Sequence, residues 1–241
     1  MRIDKFISLQ GYTRTEARAL IRSSRVEADG VVIRDAAAAI DENASRVRLD
    51  GEEIIYSPFY HLMLNKPAGI VTAAEDARRK TVMDLLPALA RQRGCMPVGR
   101  LDMDTEGLLL FTTDGKLAHR LLSPKRGVEK RYLATVNAPL SSLDTEAFAR
   151  GIPLSDFLAL PASLEITGDA RVAYITLTEG KYHQVKRMFA AMGNSVVSLK
   201  RLTFGGVCLD PALAAGEWRE LTAFEAQALY AAAGMGDRAG V

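Results

Sequence analysis

The sequence has few of the residues that usually build disulfide frameworks and metal centres. Its 241 residues include two cysteines, Cys95 and Cys208, and three histidines, His61, His119 and His183. The cysteines lie far apart and neither has a histidine near it, which excludes a disulfide framework and a zinc-binding spacing. We expect both thiols to be buried and reduced, as is usual for an intracellular protein.

Long apolar runs and a large net charge are also absent. No stretch reaches about 18 apolar residues, the length that crosses a membrane. The N-terminal segment carries Arg2, Asp4 and Lys5 in its first turns, which does not fit a signal peptide. The net charge is only +2, so that bulk charge indicates no partner and local charge must be considered instead. We therefore expect a cytoplasmic protein that is not inserted in a membrane.

Local positive charge is concentrated near the N-terminus. Thr13 and Glu16 have the spacing of a capping box, which predicts a helix over residues 14–24. Four arginines recur along one side of it, namely Arg14, Arg18, Arg22 and Arg25. Like charges at this spacing repel by roughly 0.2–0.5 kcal/mol per pair. This helix face is therefore either simply solvated or a surface that binds phosphates.

The chain is predicted to divide into a short N-terminal module, whose charge changes from basic to acidic along the sequence, and a longer segment rich in strands. Residues 1–25 hold six lysines and arginines against two acids, whereas residues 26–60 hold three against eight. Residues 50–60, which include Pro58, are predicted to be a linker. From residue 61 onward strand patterns outnumber helical ones and do not alternate strictly with them, which predicts an α+β fold with a largely antiparallel sheet. Helices are predicted over residues 82–91, 143–150 and 184–192.

Three carboxylates, Asp102, Asp104 and Glu106, lie within the stretch GRLDMDTEGLLLFTTDG, just before the apolar run 108–111 that predicts a buried strand. A metal site would need further ligands, and no histidine lies near these acids in the sequence. A two-carboxylate hydrolase and a loop that binds its own backbone N–H groups both remain open. The third interpretation is a single nucleophilic carboxylate that an adjacent cation keeps ionised.

That stretch resembles the catalytic segment of the pseudouridine synthases, in the branch that modifies ribosomal RNA. Three further segments resemble motifs of this family in the family's order: LNKPAGIVTA (64–73), EKRYLATV (129–136) and EGKYHQVKRMFAAMGN (179–194). The first 50 residues resemble an RNA-binding module of the ribosomal-protein-S-four type. The detail is most similar to members that modify a single uridine of small-subunit (16S) ribosomal RNA.

The resemblance implies a fold and a set of catalytic residues. The fold would be a small α/β RNA-binding module, residues 1–56, followed by a catalytic domain, residues 60–241, with a mainly antiparallel mixed β-sheet flanked by helices. Asp102 would be the catalyst, with Asp104 and Glu106 as scaffolding of the loop. Tyr132 would stack on the target base, and Lys186 would pair with Asp102. Arg187 competes with Lys186 for that role, and His183 with Gln184 would only shape the turn before the helix.

The resemblance also implies the substrate and the absence of a cofactor. The reaction isomerises uridine to pseudouridine without a redox step or a group donor, so no metal or cofactor is expected. The partner would be 16S ribosomal RNA, free or within a pre-ribosomal particle, and the protein would be a monomer. RNA contacts are predicted from a set of basic residues, namely Arg2, Lys5, Arg14, Arg18, Arg22, Arg25, Lys66, Arg100 and Arg187.

Three alternatives remain beside this hypothesis. The same chemistry could act on 23S ribosomal RNA, or the protein could be a non-catalytic RNA-binding assembly factor. A two-carboxylate hydrolase would release a fragment, whereas isomerisation leaves the mass of the RNA unchanged. The sequence does not decide whether the aspartate attacks the sugar, adds to the base, or first assists loss of a sugar proton.

Overall fold

The computed structural model describes residues 1–54 and 56–236, and within them the chain forms two compact units. The first comprises Met1–Pro58 together with Pro87–Gly94, and the second comprises Phe59–Leu86 together with Cys95–Val241. The last five residues of the predicted catalytic domain, 237–241, lie outside the described part. Within that part, no helix has the length and apolar character needed to span a membrane.

The first unit combines helices with a small antiparallel sheet. Helices α1 (Ile3–Ser8) and α2 (Arg14–Arg22) pack against strands in the order β2-β1-β3-β4. These strands span Val26–Ala28 (β1), Val31–Val32 (β2), Val47–Leu49 (β3) and Glu52–Ile54 (β4). A third helix, α3 (Ala88–Gln92), lies in the segment Pro87–Gly94, which also belongs to this unit. The predicted linker was therefore wrong in part, because residues 52–54 pair with β3 as an edge strand.

The predicted capping box is present at the start of α2. The Thr13 side chain accepts a hydrogen bond from the Glu16 N–H, and the Glu16 carboxylate accepts one from the Thr13 N–H. The apolar side of the helix is buried with α1 and β1, in a core that includes Ala17, Leu20 and Ile21. Consequently the arginines Arg14, Arg18 and Arg22 lie on the exposed side, as their spacing predicts.

The second unit is built on one large mixed sheet. Within residues 59–236 its nine strands include a path in the order β13-β5-β7-β11-β8-β10-β9, to which β6 and β12 add at β7 and β11. All neighbours on the path are antiparallel except β7 and β11, which are parallel. The strands are His61–Lys66 (β5), Met96–Pro97 (β6), Glu106–Thr112 (β7), Lys130–Val136 (β8), Ser163–Ile166 (β9), Val172–Leu177 (β10), Val196–Phe204 (β11), Val207–Cys208 (β12) and Trp218–Glu220 (β13). The predicted α+β class is confirmed.

Helices complete this unit and bury the apolar face of the central strands. They are α4 (Gly115–Leu122), α5 (Ser142–Arg150), α6 (Gln184–Ala191) and α7 (Ala223–Ala232). Leu108 and Leu110 of β7 lie in one buried cluster with Leu117 of α4 and Tyr230 of α7. The whole run 108–111 is buried, so the strand predicted after the acidic residues is confirmed.

Two predictions from the sequence do not match the structure. The helix predicted over residues 82–91 is a 3-10 turn, Val82–Leu85, followed by the separate helix α3. Pro87 divides them, because proline disfavours helical backbone at the residue before it. Cys208, predicted to be buried, is exposed on the short strand β12, whereas Cys95 is buried as expected.

Candidate active site

The acidic residues form a tight loop that leads directly into β7. The Thr105 N–H donates to the Asp102 carbonyl at 3.1 Å, which closes a turn between the two residues. Gly107 then passes so close to β11 that a Cβ there would lie 2.3 Å from the Arg201 carbonyl oxygen, and its φ is +96°. Only glycine fits such a position without displacing backbone. The acidic loop is thus fixed at its exit by close contact between two strands.

Residues 66–72 hold the same loop from the other side. The Thr72 hydroxyl donates to the Leu101 carbonyl at 2.8 Å and accepts from the Leu101 N–H at 3.2 Å. The Gly69 N–H donates to the Met103 carbonyl at 2.7 Å. Asp102 lies between these two anchored residues, so its side chain projects from a backbone held on both sides.

The structure contradicts the predicted contact of Lys66 with RNA. The residue has 0% exposure, and its Nζ donates to the carbonyls of Pro67, Met103 and Thr105 at 2.9–3.2 Å. Burial lowers the pKa of Lys66 to about 8, although Asp104 and Asp102 act to raise it. A lysine whose three donors are used by backbone carbonyls cannot also bind a phosphate. Lys66 is instead a brace of the acidic loop.

Asp102 and Lys186 form an ion pair, and each belongs to one of the segments that resemble family motifs. Lys186 Nζ lies 3.1 Å from Asp102 Oδ2 and 2.5 Å from Asp104 Oδ1. Asp102 is half-buried, whereas the side chain of Asp104 is 70% exposed. Arg187 does not take this role, because its guanidinium pairs with Asp156. The choice between the two neighbours is therefore decided geometrically in favour of Lys186.

The cation between the two aspartates is held in its charged form. Burial acts to lower the pKa of Lys186, but hydrogen bonds to Asp104 and Asp102 raise it above its ordinary value. The hydrogen bond from Lys186 likewise lowers the pKa of Asp104, against an opposing effect of burial. Asp104 is therefore more than scaffolding, since it shares the cation that contacts Asp102.

His183 is closer to the acids than its predicted role in the turn required. Its Nε2 lies 3.5 Å from Asp102 Oδ1, on the oxygen that Lys186 does not contact. The residue precedes α6 with a φ of +50°, a left-handed conformation that is uncommon outside glycine. Gln184 does shape the turn, because it accepts from the Lys181 N–H and donates to Glu179. A positive φ cannot be read from the spacing of residues, so the sequence did not reveal this contact.

Tyr132 lies in the same cavity as the ion pair. Along β8 buried and half-buried residues alternate, and Tyr132 is on the buried side. The cavity measures about 110 Å³, and its lining includes Asp102, Tyr132, Lys186, Leu199 and Phe204. A carboxylate, a cation and an aromatic ring thus surround one partly apolar space, a typical arrangement for binding a planar, uncharged ring beside a nucleophile.

The remaining residues that were predicted to contact RNA differ in whether a carboxylate already pairs with them. Arg100 is exposed at the cavity, and Lys5 is exposed on α1. Within the first unit, Arg2 and Arg18 both bind Asp4, and Arg25 forms a two-bond ion pair with Asp50 at 2.5 and 2.7 Å. Only Arg14 and Arg22 of the α2 face are exposed without a carboxylate partner in the described residues. The basic face is therefore smaller than the sequence suggested.

The donor set offers no centre for a metal ion. Among residues 1–54 and 56–236, no group of three or more histidine, cysteine, aspartate or glutamate side chains is placed to hold one.

Lys130 supports a prediction about the pH dependence of stability. It lines the cavity, and burial together with nearby Arg201 lowers its pKa to about 8. Between pH 8 and 10.5 the folded lysine is neutral while the unfolded one is still protonated, so stability rises with pH in this window. The free energy of unfolding of wild type, relative to Lys130→Met, should increase by up to about 3 kcal/mol. Denaturant unfolding of both proteins at several pH values measures it, and a constant difference would contradict the buried charge.

Several known proteins are similar to this chain over most of its length. A family model described as "RNA pseudouridylate synthase" matches residues 60–191. The "Uncharacterized RNA pseudouridine synthase YtzG" of Bacillus subtilis is 46% identical over 227 residues, 92% of this chain and 95% of the relative. The "Ribosomal small subunit pseudouridine synthase A" of Escherichia coli K12 is 43% identical over 92% of this chain and 96% of its own. Its namesake from Vibrio cholerae is 43% identical over 95% of this chain and 100% of its own.

A solved structure extends the similarity to three dimensions. The crystal structure of a pseudouridylate synthase superimposes with a TM-score of 0.67 and 38% sequence identity. The match covers 95% of this chain and 99% of the other. Both units are therefore within the region that the relatives share.

Proposed function

Because the chain belongs to the RNA pseudouridine synthase family, we propose that it isomerises one uridine of small-subunit (16S) ribosomal RNA to pseudouridine. In this reaction the bond between N1 of uracil and C1′ of ribose breaks, and a bond between C5 and C1′ forms. The hydrogen on C5 leaves as a proton and N1 gains one, so atoms balance without a co-reactant. The observation that carries the proposal is the ion pair of Asp102 and Lys186 beside Tyr132 in one cavity.

We assign one role to each of these side chains. Asp102 acts as the nucleophile, and the hydrogen bond from Lys186 orients its carboxylate while the base is detached. The ring of Tyr132 packs against the uracil within the cavity. A base inside a helix cannot reach such a position, so the target must be extruded, which costs a few kcal/mol. Contacts of Arg100 with the RNA backbone would offset part of that cost.

The choice of small-subunit RNA is supported by the relatives from Escherichia coli and Vibrio cholerae, whose names specify the ribosomal small subunit. The experiment is to incubate the protein with unmodified 16S and 23S ribosomal RNA and to map new pseudouridines in each. We expect one new site in 16S RNA and none in 23S RNA. A site in 23S RNA alone would overturn the choice of substrate but keep the chemistry. Cleaved RNA would favour a hydrolase instead.

The first unit is proposed to bind the RNA through basic residues of its own. In α2, Arg14 and Arg22 are exposed and lack a carboxylate partner in the described residues, so they are available to phosphates. This proposal also fits an enzyme that works in the cytoplasm as a monomer, which we retain as a prediction.

Replacing Arg14 and Arg22 by glutamine should weaken RNA binding and flatten its salt dependence. Each lost phosphate contact lowers the slope of log K against log salt by about 0.7–0.9 units, so the pair should remove one to two. The matched control is Arg46→Gln with Arg48→Gln, which removes the same charge from exposed arginines on the acidic part of the unit. Equal slopes for the two double variants would indicate that the α2 face is only solvated and does not bind phosphates.

A further inference from the structure

An exposed pair of stacked rings lies at the edge of the cavity. The rings of Tyr182 and His183 are stacked, with centroids 3.8 Å apart and planes within 18°. His183 lines the cavity and lies 3.5 Å from Asp102, whereas the side chain of Tyr182 is 75% exposed. One face of the tyrosine is therefore covered by the histidine, and the other is open to solvent.

The turn that carries these rings is held in place by its own hydrogen bonds. Gln184 accepts from the Lys181 N–H at 2.9 Å and donates to Glu179, which in turn accepts from the Leu160 N–H at 2.8 Å. His183 itself has a left-handed backbone, which sets the direction of the chain into α6. A ring on such a turn loses little freedom when it binds a partner, which favours affinity.

The charges around the pair suit a nucleic acid. Lys181 precedes Tyr182, and the exposed Arg100 lines the same cavity as His183. Exposed aromatic rings beside cations are the usual means by which proteins bind unstacked bases. A large exposed apolar ring has no evident role in folding, because it buries little surface.

We propose that Tyr182, supported by His183, forms a platform on which a base next to the target uridine stacks once the target is extruded. This inference rests on the proposed function and names how that site holds its substrate. Extrusion removes a stacking partner from each flanking base, so an aromatic platform at the edge of the cavity restores one of the lost contacts. Tyr132 lies too deep for this role, because it is buried inside the cavity that receives the target.

The test uses the full-length protein and an RNA fragment containing the uridine that wild type converts. Fragments carry 2-aminopurine, whose fluorescence falls on stacking, on the 5′ or the 3′ side of the target. Binding is measured in the Asp102→Asn background, so that the RNA stays unconverted. We expect quenching at one of the two positions, and Tyr182→Leu should abolish it and weaken affinity about fivefold or more. Tyr182→Phe, which keeps the ring, should behave like the unsubstituted protein within about twofold.

The matched control is Phe224→Leu, which removes an exposed aromatic from α7 of the same unit. Phe224 is 82% exposed and does not line the cavity. We expect Phe224→Leu to leave quenching and affinity unchanged. In the otherwise wild-type enzyme, Tyr182→Leu should raise KM more than it lowers kcat, since the platform binds RNA and does not take part in the bond changes.

The outcomes separate this inference from the function on which it rests. If wild type converts no uridine in ribosomal RNA, the proposed function is wrong and the platform falls with it. If wild type converts the uridine but neither 2-aminopurine position responds, only the platform is wrong. Equal losses for Tyr182→Leu and Phe224→Leu would also overturn it, because they would indicate a general effect of removing surface rings.

Discussion

Asp102→Asn should abolish pseudouridine formation while leaving RNA affinity within a few fold of wild type. The amide is nearly the same size as the carboxylate, so the loop between Leu101 and Met103 should keep its hydrogen bonds to residues 69 and 72. It is a far poorer nucleophile, however, and cannot pair with Lys186 as an anion. We expect the single-turnover rate to fall by about 10⁴-fold or more, the scale seen when a catalytic nucleophile is removed.

The matched control for this variant is Asp104→Asn. Asp104 also contacts Lys186, but its side chain is 70% exposed and it does not line the cavity. We expect its substitution to keep the rate within about tenfold of wild type, because one exposed charge pair contributes little. Equal rate losses for the two variants would contradict a single nucleophile and would revive the two-carboxylate interpretation.

Lys186→Met should produce the second-largest loss, about 10²-fold in single-turnover rate, the scale associated with removing one charged contact from a reacting centre. Without the cation, the half-buried carboxylate of Asp102 loses the hydrogen bond that orients it beside the cavity. Lys186→Arg should recover part of the rate, since the guanidinium keeps the charge but places it differently. Single-turnover rates of these two variants and of Arg187→Met provide the measurement.

The effect of pH on the stability of wild type around this ion pair follows from the raised pKa of Lys186. The stability contributed by its ion pairs is fully present below the ordinary lysine value of 10.5 and is lost as pH rises through the folded value. The cation is therefore charged throughout the neutral range in which we expect activity. If Arg187→Met lowered the rate while Lys186→Met did not, the role of the cation would belong to Arg187.

Much of the fold and part of the site could be predicted because they depend on local patterns. The capping box at Thr13 starts α2 where expected, since a hydroxyl and a carboxylate three residues apart satisfy free N–H groups locally. The buried strand β7 follows from a continuous apolar run. The pairing of Asp102 with Lys186, residues far apart in the chain, came from resemblance to a family and could not have come from spacing.

What the sequence could not reveal depends on contacts between distant segments. Lys66 looked like a phosphate ligand because lysines are usually exposed, yet all six residues of β5 are buried. Two of its three carbonyl partners, Met103 and Thr105, lie in the acidic loop, and no periodicity predicts their positions. The approach of His183 to Asp102 likewise depends on a left-handed backbone that nothing in the local sequence requires. Arg18 was counted as free because its partner, Asp4, is on a different helix.

The proposed isomerisation can be measured most directly by tracing the hydrogen on carbon-5 of the target uracil. Isomerisation must release it, so 16S ribosomal RNA labelled with tritium at that carbon of every uridine should lose label to water. Wild type should release one equivalent of tritium per RNA without shortening the chain, and Asp102→Asn should release none. Release of an RNA fragment without tritium, or equal tritium release by both proteins, would contradict it.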